Sequence, residues 1–351
     1  MRWLITGGAG FIGCNAARRL AAEGHDVVVL DNLSRKGATE NLAWLRRHGP
    51  VTSVFADVKD FRHLKRILGL RFDVVLHLAA QVAVTTSVLD PRADFEANAL
   101  GTFNVCEAVR LCCPEAILLN ASTNKVYGGM EDVRVVEAEG RYRYADYPQG
   151  ISEARCLDFH SPYGCSKGAG DQYVRDYARI YGLRTVTFRQ SCIYGTRQFG
   201  VEDQGWVAWF TIAAALGLPL TIYGDGKQVR DVLYVDDLID CYLRAVERID
   251  RVSGRAYNIG GGPSHTLSLL ELLRHLERLS GRPIPRQFAD WRPGDQPVFV
   301  CDLTRAEAEL GWSPKTSVEE GVARLWAWVI ANRELFEGAP AGTPEAAGVR
   351  G

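Results

Sequence analysis

Short apolar runs alternate with stretches of helical periodicity along the first half of the chain. Trp3-Leu4-Ile5 is followed by glycines at 7, 10 and 13, and then by Ala16, Ala17, Leu20 and Ala21 at helical spacing. Asp26 to Leu30, Val54 to Asp57, Asp73 to Ala80, Ala116 to Asn120 and Arg184 to Arg189 are further strand runs. Helical patterns stand between them: one carrying Leu42, Trp44 and Leu45, then Phe61–Leu68, Asn98–Cys112 and Tyr163–Tyr181. Strands that are continuously apolar and alternate with helices belong to a parallel sheet covered on both faces, so the pattern predicts an α/β, doubly wound architecture. Glu131 to His160 breaks the rhythm as a long polar, aromatic-bearing loop of the kind that usually carries function. Beyond Arg189 the pieces are shorter. They comprise helices over 205–216, 232–246, 267–279 and 318–328, and strands at 221–223 and 256–259. These predict a smaller C-terminal substrate-binding lobe over the carboxyl ends of the parallel strands, where open α/β sheets hold ligands.

The expected division is 1–189 with 230–260 for the sheet domain, 190–229 with 261–335 for the lobe, and a disordered Gly-, Ala- and Pro-rich tail over 336–351. With 351 residues the chain can bury a large core. Its net charge of −1 points to neither nucleic acid nor an anionic membrane surface. No apolar run is long enough to span a bilayer. The nine cysteines show no CxxC spacing, which fits buried thiols in a reducing, cytoplasmic compartment and neither a disulfide framework nor a metal site.

Candidate chemistry begins at Thr6-Gly7-Gly8-Ala9-Gly10-Phe11-Ile12-Gly13. A strand, a glycine turn and a helix start bring backbone N–H groups and a partial positive charge to a pyrophosphate. The second strand run ends in Asp31, placed to accept both hydroxyls of an adenosine ribose. Together these features make the sheet a Rossmann-type dinucleotide fold. Asp31 would repel a 2′-phosphate even with Arg35 nearby, so the expected cofactor is NAD. Asp57 is placed for the adenine amino group, and the small residues after Leu78, Ala79 and Ala80, let the backbone pass close to the pyrophosphate. Tyr163 and Lys167 stand four apart at a helix start, on one face, and Thr123 ends the preceding strand. An ammonium and an oxidised nicotinamide are expected to lower the Tyr163 pKa, so that it serves as a base near neutrality while Thr123 holds the same substrate oxygen. Trp206 and Trp209, three apart, are expected to pack the lobe.

The TGGAGFIG turn, Asp31, His77-Leu78-Ala79-Ala80, Ser122-Thr123-Asn124-Lys125-Val126-Tyr127-Gly128 and Tyr163-Gly164-Cys165-Ser166-Lys167 resemble the extended short-chain dehydrogenase/reductases that modify nucleotide sugars. The resemblance runs to about residue 331. Longer strings (31–42, 81–87, 122–128, 157–173, 194–200 and 203–210) are similar to the members that invert C2 of a CDP-hexose. It implies an NAD-dependent epimerase working through a transient 2-keto sugar, with Thr123, Tyr163 and Lys167 catalytic. The cofactor residues it implies are Gly7, Gly10, Phe11, Ile12, Gly13, Asp31, Asn32, Ser34, Arg35, Asp57, Val58, Leu78, Ala79, Ala80 and Asn98, besides Tyr163 and Lys167. Arg230 and Arg292 are matched to the diphosphate, and Thr85, Thr86, Asn124, His160 and Gln204 to the sugar. Related 4,6-dehydratases carry an Asp-Glu acid/base pair after the strand-end Thr; Asn124 and Lys125 stand there in this chain and disfavour elimination. Cys192 replaces the family's usual Asn. The resemblance further implies a homodimer or homotetramer. The competing readings are a UDP-glucose 4-epimerase-like enzyme, a C2-epimerase of another nucleotide hexose and, outside enzymes, an NAD-binding regulatory protein.

Overall fold

The structure, a computed structural model, describes residues 1–292 and 295–337. The expected tail from 338 onward lies outside the described residues, whereas Phe336 is buried against Phe199 and Trp328.

Five strands open the chain: β1 Arg2–Thr6, β2 Asp26–Asp31, β3 Val51–Phe55, β4 Val74–His77 and β5 Ile117–Thr123. With Arg184–Gln190 and Arg255–Ile259 they form one seven-stranded sheet. Its order is Arg255–Ile259, Arg184–Gln190, β5, β4, β1, β2, β3, and every pairing is parallel. Val27–Leu30, Leu4, Ile5 and Val74–Leu76 are fully buried because helices cover both faces, which explains why these strands read as unbroken apolar runs. The chain goes outward from β1 through β2 to β3, then returns to place β4 on the other side of β1. That reversal leaves a crevice at the carboxyl ends of β1 and β4.

The remainder departs from the expected pattern in two places. Within the long 131–160 segment, Val135–Ala138 and Arg141–Tyr144 form an antiparallel hairpin. It docks on the lobe through the Tyr142 N–H to the Lys227 carbonyl and the Tyr142 hydroxyl to Asp225. Val229–Tyr234 is a strand, where the pattern predicted a helix from Val232. It pairs with Cys192–Tyr194, Thr266–Ser268 and Val298–Phe299, all outside the seven-stranded sheet. Residues 230–234, expected with the sheet domain, therefore sit in the lobe sheet, and the helix Val235–Glu247 begins the return.

Candidate active site

The glycine turn follows from close packing. Gly7 adopts φ +67° and lies so near β4 that a Cβ on it would sit 2.8 Å from the Ala79 nitrogen. A Cβ on Gly13 would sit 2.3 Å from the Gly7 carbonyl oxygen, so the first helix, α1 Phe11–Ala22, can pack on the turn only with glycine there. No side chain caps α1 at Gly10, which leaves the first N–H groups of the helix free to meet an anion. Asp31 accepts the Ala9 N–H at 2.9 Å and the Leu33 N–H at 2.8 Å. The carboxylate is thereby fixed beside the turn with lone pairs to spare for a ribose diol. Asn32 donates to Asp57 at 2.9 Å and accepts from the Ser34 N–H and hydroxyl. A cavity of about 330 Å³ lined by Asp31, Leu33, Val54 and Phe55 opens alongside. An uncapped helix, a turn that admits no Cβ and a carboxylate held by backbone donors fit a dinucleotide with a free ribose 2′-hydroxyl, so the residues present suit NAD.

Across the crevice stands the helix Ser161–Tyr181, which positions Tyr163 and Lys167 on the face packed on β5. The Tyr163 phenol is buried and lies close enough to the Thr123 hydroxyl for that group to favour its ionised form. Lys167 is buried too, and its ammonium donates to the Ala121 carbonyl on β5. The expected lowering of the Tyr163 pKa is not met by the chain alone. Burial pushes the phenol up to about 12, against smaller opposing effects of the Thr123 hydrogen bond and the Arg35 charge. Lys167 is pulled down to about 8 by burial, with Asp171 and Asp94 acting in the other direction.

Several supporting residues escaped the sequence reading. Ser87 accepts the Tyr163 backbone N–H at 3.2 Å, and Ser166 donates to Asp94. Asn98, already singled out for the cofactor, has its amide donating to Gln81, Asp94 and Ser166 and its oxygen accepting the Gln81 N–H, so it also braces the segment after β4. Under the catalytic helix, Arg189 pairs with Asp171 through two bonds of 2.9 and 3.0 Å, both groups being buried. Asp171 also accepts the Ser122 hydroxyl, and Arg189 donates to Tyr127, whose hydroxyl donates to Asn258. QVAVTTS already contained Ser87, but only the fold places it at the Tyr163 backbone.

On the lobe side the predicted residues separate. Arg230 hydrogen-bonds its own neighbour's carbonyl, Val229, at 2.9 Å. Arg292 is paired with Asp203 at 3.1 Å and Glu202 at 3.9 Å, and its guanidinium lies 3.8 Å from the Tyr223 ring centroid. Gln204 accepts a 2.6 Å bond from Arg35, and Thr85 donates to Asp203 at 3.4 Å, while Thr86 is exposed. Asn124 is buried and accepts the Thr123 hydroxyl; His160 is exposed beside Asp158. The Trp206 indole N–H donates to Cys192 Sγ, so this tryptophan does more than fill the lobe.

This combination, a Rossmann crevice closed by a Tyr-Lys helix and a strand-end threonine, defines a nicotinamide-dependent sugar-nucleotide enzyme of the extended short-chain type. The profile of the NAD dependent epimerase/dehydratase family matches residues 3–260, and the chain belongs to that family. Its cofactor is NAD. It is 46% identical over 334 residues to the CDP-paratose 2-epimerase of Salmonella typhi, an alignment covering 93% of this chain and 99% of that protein. Its fold is similar to that of the UDP-glucose 4-epimerase of Thermotoga maritima solved with UDP-glucose (TM-score 0.82, 32% identity, 96% of this chain and 100% of that one). It is also similar to the Thermus thermophilus UDP-glucose 4-epimerase in complex with NAD (TM-score 0.77, 32% identity, 93% and 98% covered). Among the described residues no helix is long and apolar enough to cross a membrane.

Proposed function

We propose that this protein is a cytoplasmic epimerase that inverts C2 of a CDP-hexose of the paratose/tyvelose type. The observation that carries the reading is the buried Tyr163 beside the buried Thr123 at the carboxyl end of β5, with buried Lys167 one turn along the same helix. The likeness to CDP-paratose 2-epimerase supports C2 and the cytidine base. The sheet strands and their helices hold the cofactor, and the lobe built on Val229–Tyr234 and the segments after residue 261 holds the nucleotide sugar.

NAD, when bound, supplies reversible oxidation at the sugar carbon, so the reaction has no net redox change. Tyr163 accepts the proton of the C2 hydroxyl and returns it when the inverted alcohol forms, a general base and then a general acid at one oxygen. Thr123 hydrogen-bonds the same oxygen and fixes its position. Lys167 keeps positive charge beside the phenol. Inversion requires the ketone to present its opposite face, so the anchor must lie far from C2; Arg230 and Arg292 hold the diphosphate while the hexose turns. Thr85, Thr86, Asn124 and Gln204 line the sugar side. Asn124 and Lys125, in place of an acid/base pair, leave elimination without its proton carriers. Exposed Tyr173, Ile180 and Tyr181 on the catalytic helix, with Leu111 on the neighbouring Gly101–Cys112 helix, form an apolar face suited to a second copy in a homodimer or homotetramer.

Proton NMR of the product made from CDP-paratose in deuterated buffer tests the reading. The expected product is inverted at C2 and carries no deuterium on that carbon, because the hydrogen removed is the one restored. Inversion at C4, or accumulation of reduced cofactor in proportion to product, overturns it.

A further inference from the structure

Lys125 lies two residues beyond Thr123, in the short turn Asn124–Tyr127, and is held there by its backbone N–H on the Thr123 hydroxyl at 3.2 Å. Its ammonium reaches the lobe, where its hydrogen-bond partner is the Gln296 amide oxygen at 3.4 Å. Gln296 is buried and donates to the Gly128 carbonyl at 2.6 Å, so the turn and the lobe segment before Val298–Phe299 are fastened together at this point. Arg230 opposes protonation of the ammonium, and Asp295 favours it. Among the described residues neither Lys125 nor Arg230 has a carboxylate within ion-pair distance. Arg292, the other cation matched to the diphosphate, is already paired with Glu202 and Asp203. Lys125 meets the lobe segment before Val298–Phe299 at Gln296, and the Val229 N–H, next to Arg230, donates to the adjoining Pro297 carbonyl at 2.8 Å. Two cations outside ion-pair distance of any described carboxylate, one on the catalytic turn and one on the lobe, thus converge on one segment and make a site for an anion bridging the two halves.

We propose that Lys125 binds the substrate's diphosphate together with Arg230, taking the phosphate nearer the sugar. The assignment rests on the nucleotide-sugar reading given above. Thr123 and Lys125 share one turn, so the phosphate that Lys125 holds is the one attached to the reacting hexose, and Arg230, with Arg292, holds the phosphate toward the nucleoside. Burial and Arg230 bring Lys125 down to about 8 in the free protein. An anion between the two cations pulls the pKa back up, so binding takes up a proton near pH 8 and weakens as pH rises above it.

The test is calorimetric titration of the NAD-loaded protein with CDP and with CMP, for wild type, Lys125→Met and Lys125→Arg. The expected result is a loss of about tenfold in CDP affinity in Lys125→Met, with CMP affinity unchanged, because CMP lacks the second phosphate. Lys125→Arg should restore most of the CDP affinity and abolish its decline above pH 8, since guanidinium stays charged. Bound NAD content, equal in all three, reports intact folding. Equal CDP affinity in wild type and Lys125→Met overturns the assignment and leaves the epimerase reading standing. A wild-type protein that binds no CDP overturns both.

Discussion

Tyr163 has its phenol buried beside Thr123, and burial favours the protonated form strongly enough to push the group up to about 12. A base that must work near neutrality therefore needs positive charge beyond what the chain supplies, and bound oxidised nicotinamide is such a charge. The expected spectroscopic outcome follows: at pH 9 the NAD-free protein shows no phenolate absorbance from Tyr163, the NAD-loaded protein does, and Tyr163→Phe removes the difference. The same substitution should lower kcat by roughly 10²–10⁴-fold while NAD stays bound. Lys167 has the opposite sign: burial lowers it to about 8, so raising pH above that value neutralises the ammonium and should reduce kcat/KM, whose pH profile reports the free enzyme's groups. At this scale the triad was legible because its spacing is local or lies at a strand end. Ser87 and Asp94 were not. They meet Tyr163 and Ser166 across 76 and 72 residues, a relation that no periodicity encodes.

The elements that carry these residues are locked by the buried pair Asp171–Arg189, which joins the catalytic helix to the strand Arg184–Gln190 and reaches β5 through Ser122. Removing one partner strands a buried charge, so Asp171→Ala should cost about 3–5 kcal/mol in urea unfolding, far more than loss of an exposed ion pair. Replacing Arg134 of the exposed Arg134–Asp146 pair provides the comparison and should leave the urea midpoint nearly unchanged. The sheet strands were readable as unbroken apolar runs because both their faces are covered, and the helices over them as periodic apolar faces. The Val135–Tyr144 hairpin was hidden for a physical reason. Its two-residue turn, Glu139-Gly140, holds both residues at positive φ (55° and 74°), and Glu is a poor marker for that conformation where Asn or Asp would have announced it. Val229–Tyr234 was misread because its partners lie in three separate parts of the chain, so its apolar run offered no local choice between strand and helix.

Across the whole molecule, two of three consecutive lobe residues bridge the walls of the crevice, and the third, Glu202, is fastened within the lobe. Gln204 is bonded to Arg35 on the loop after β2, Asp203 to Thr85 after β4 and to Arg292, and Glu202 to Arg292 and the Tyr223 hydroxyl. The loop that carries Arg35 also carries Asn32 and Ser34, so the Arg35–Gln204 bond ties the adenosine side of the crevice to the lobe. A cofactor restored in every cycle has no need to leave, and a strap over its site slows escape without entering the chemistry. Wild-type protein should therefore co-purify with NAD. Gln204→Ala should lose it several-fold faster on dilution, the effect of about 1 kcal/mol for one such hydrogen bond. Equal rates of NAD loss from wild type and Gln204→Ala, followed by the fluorescence of a reduced-cofactor-loaded sample, would show that the crevice walls alone retain it and that the strap serves the sugar side only.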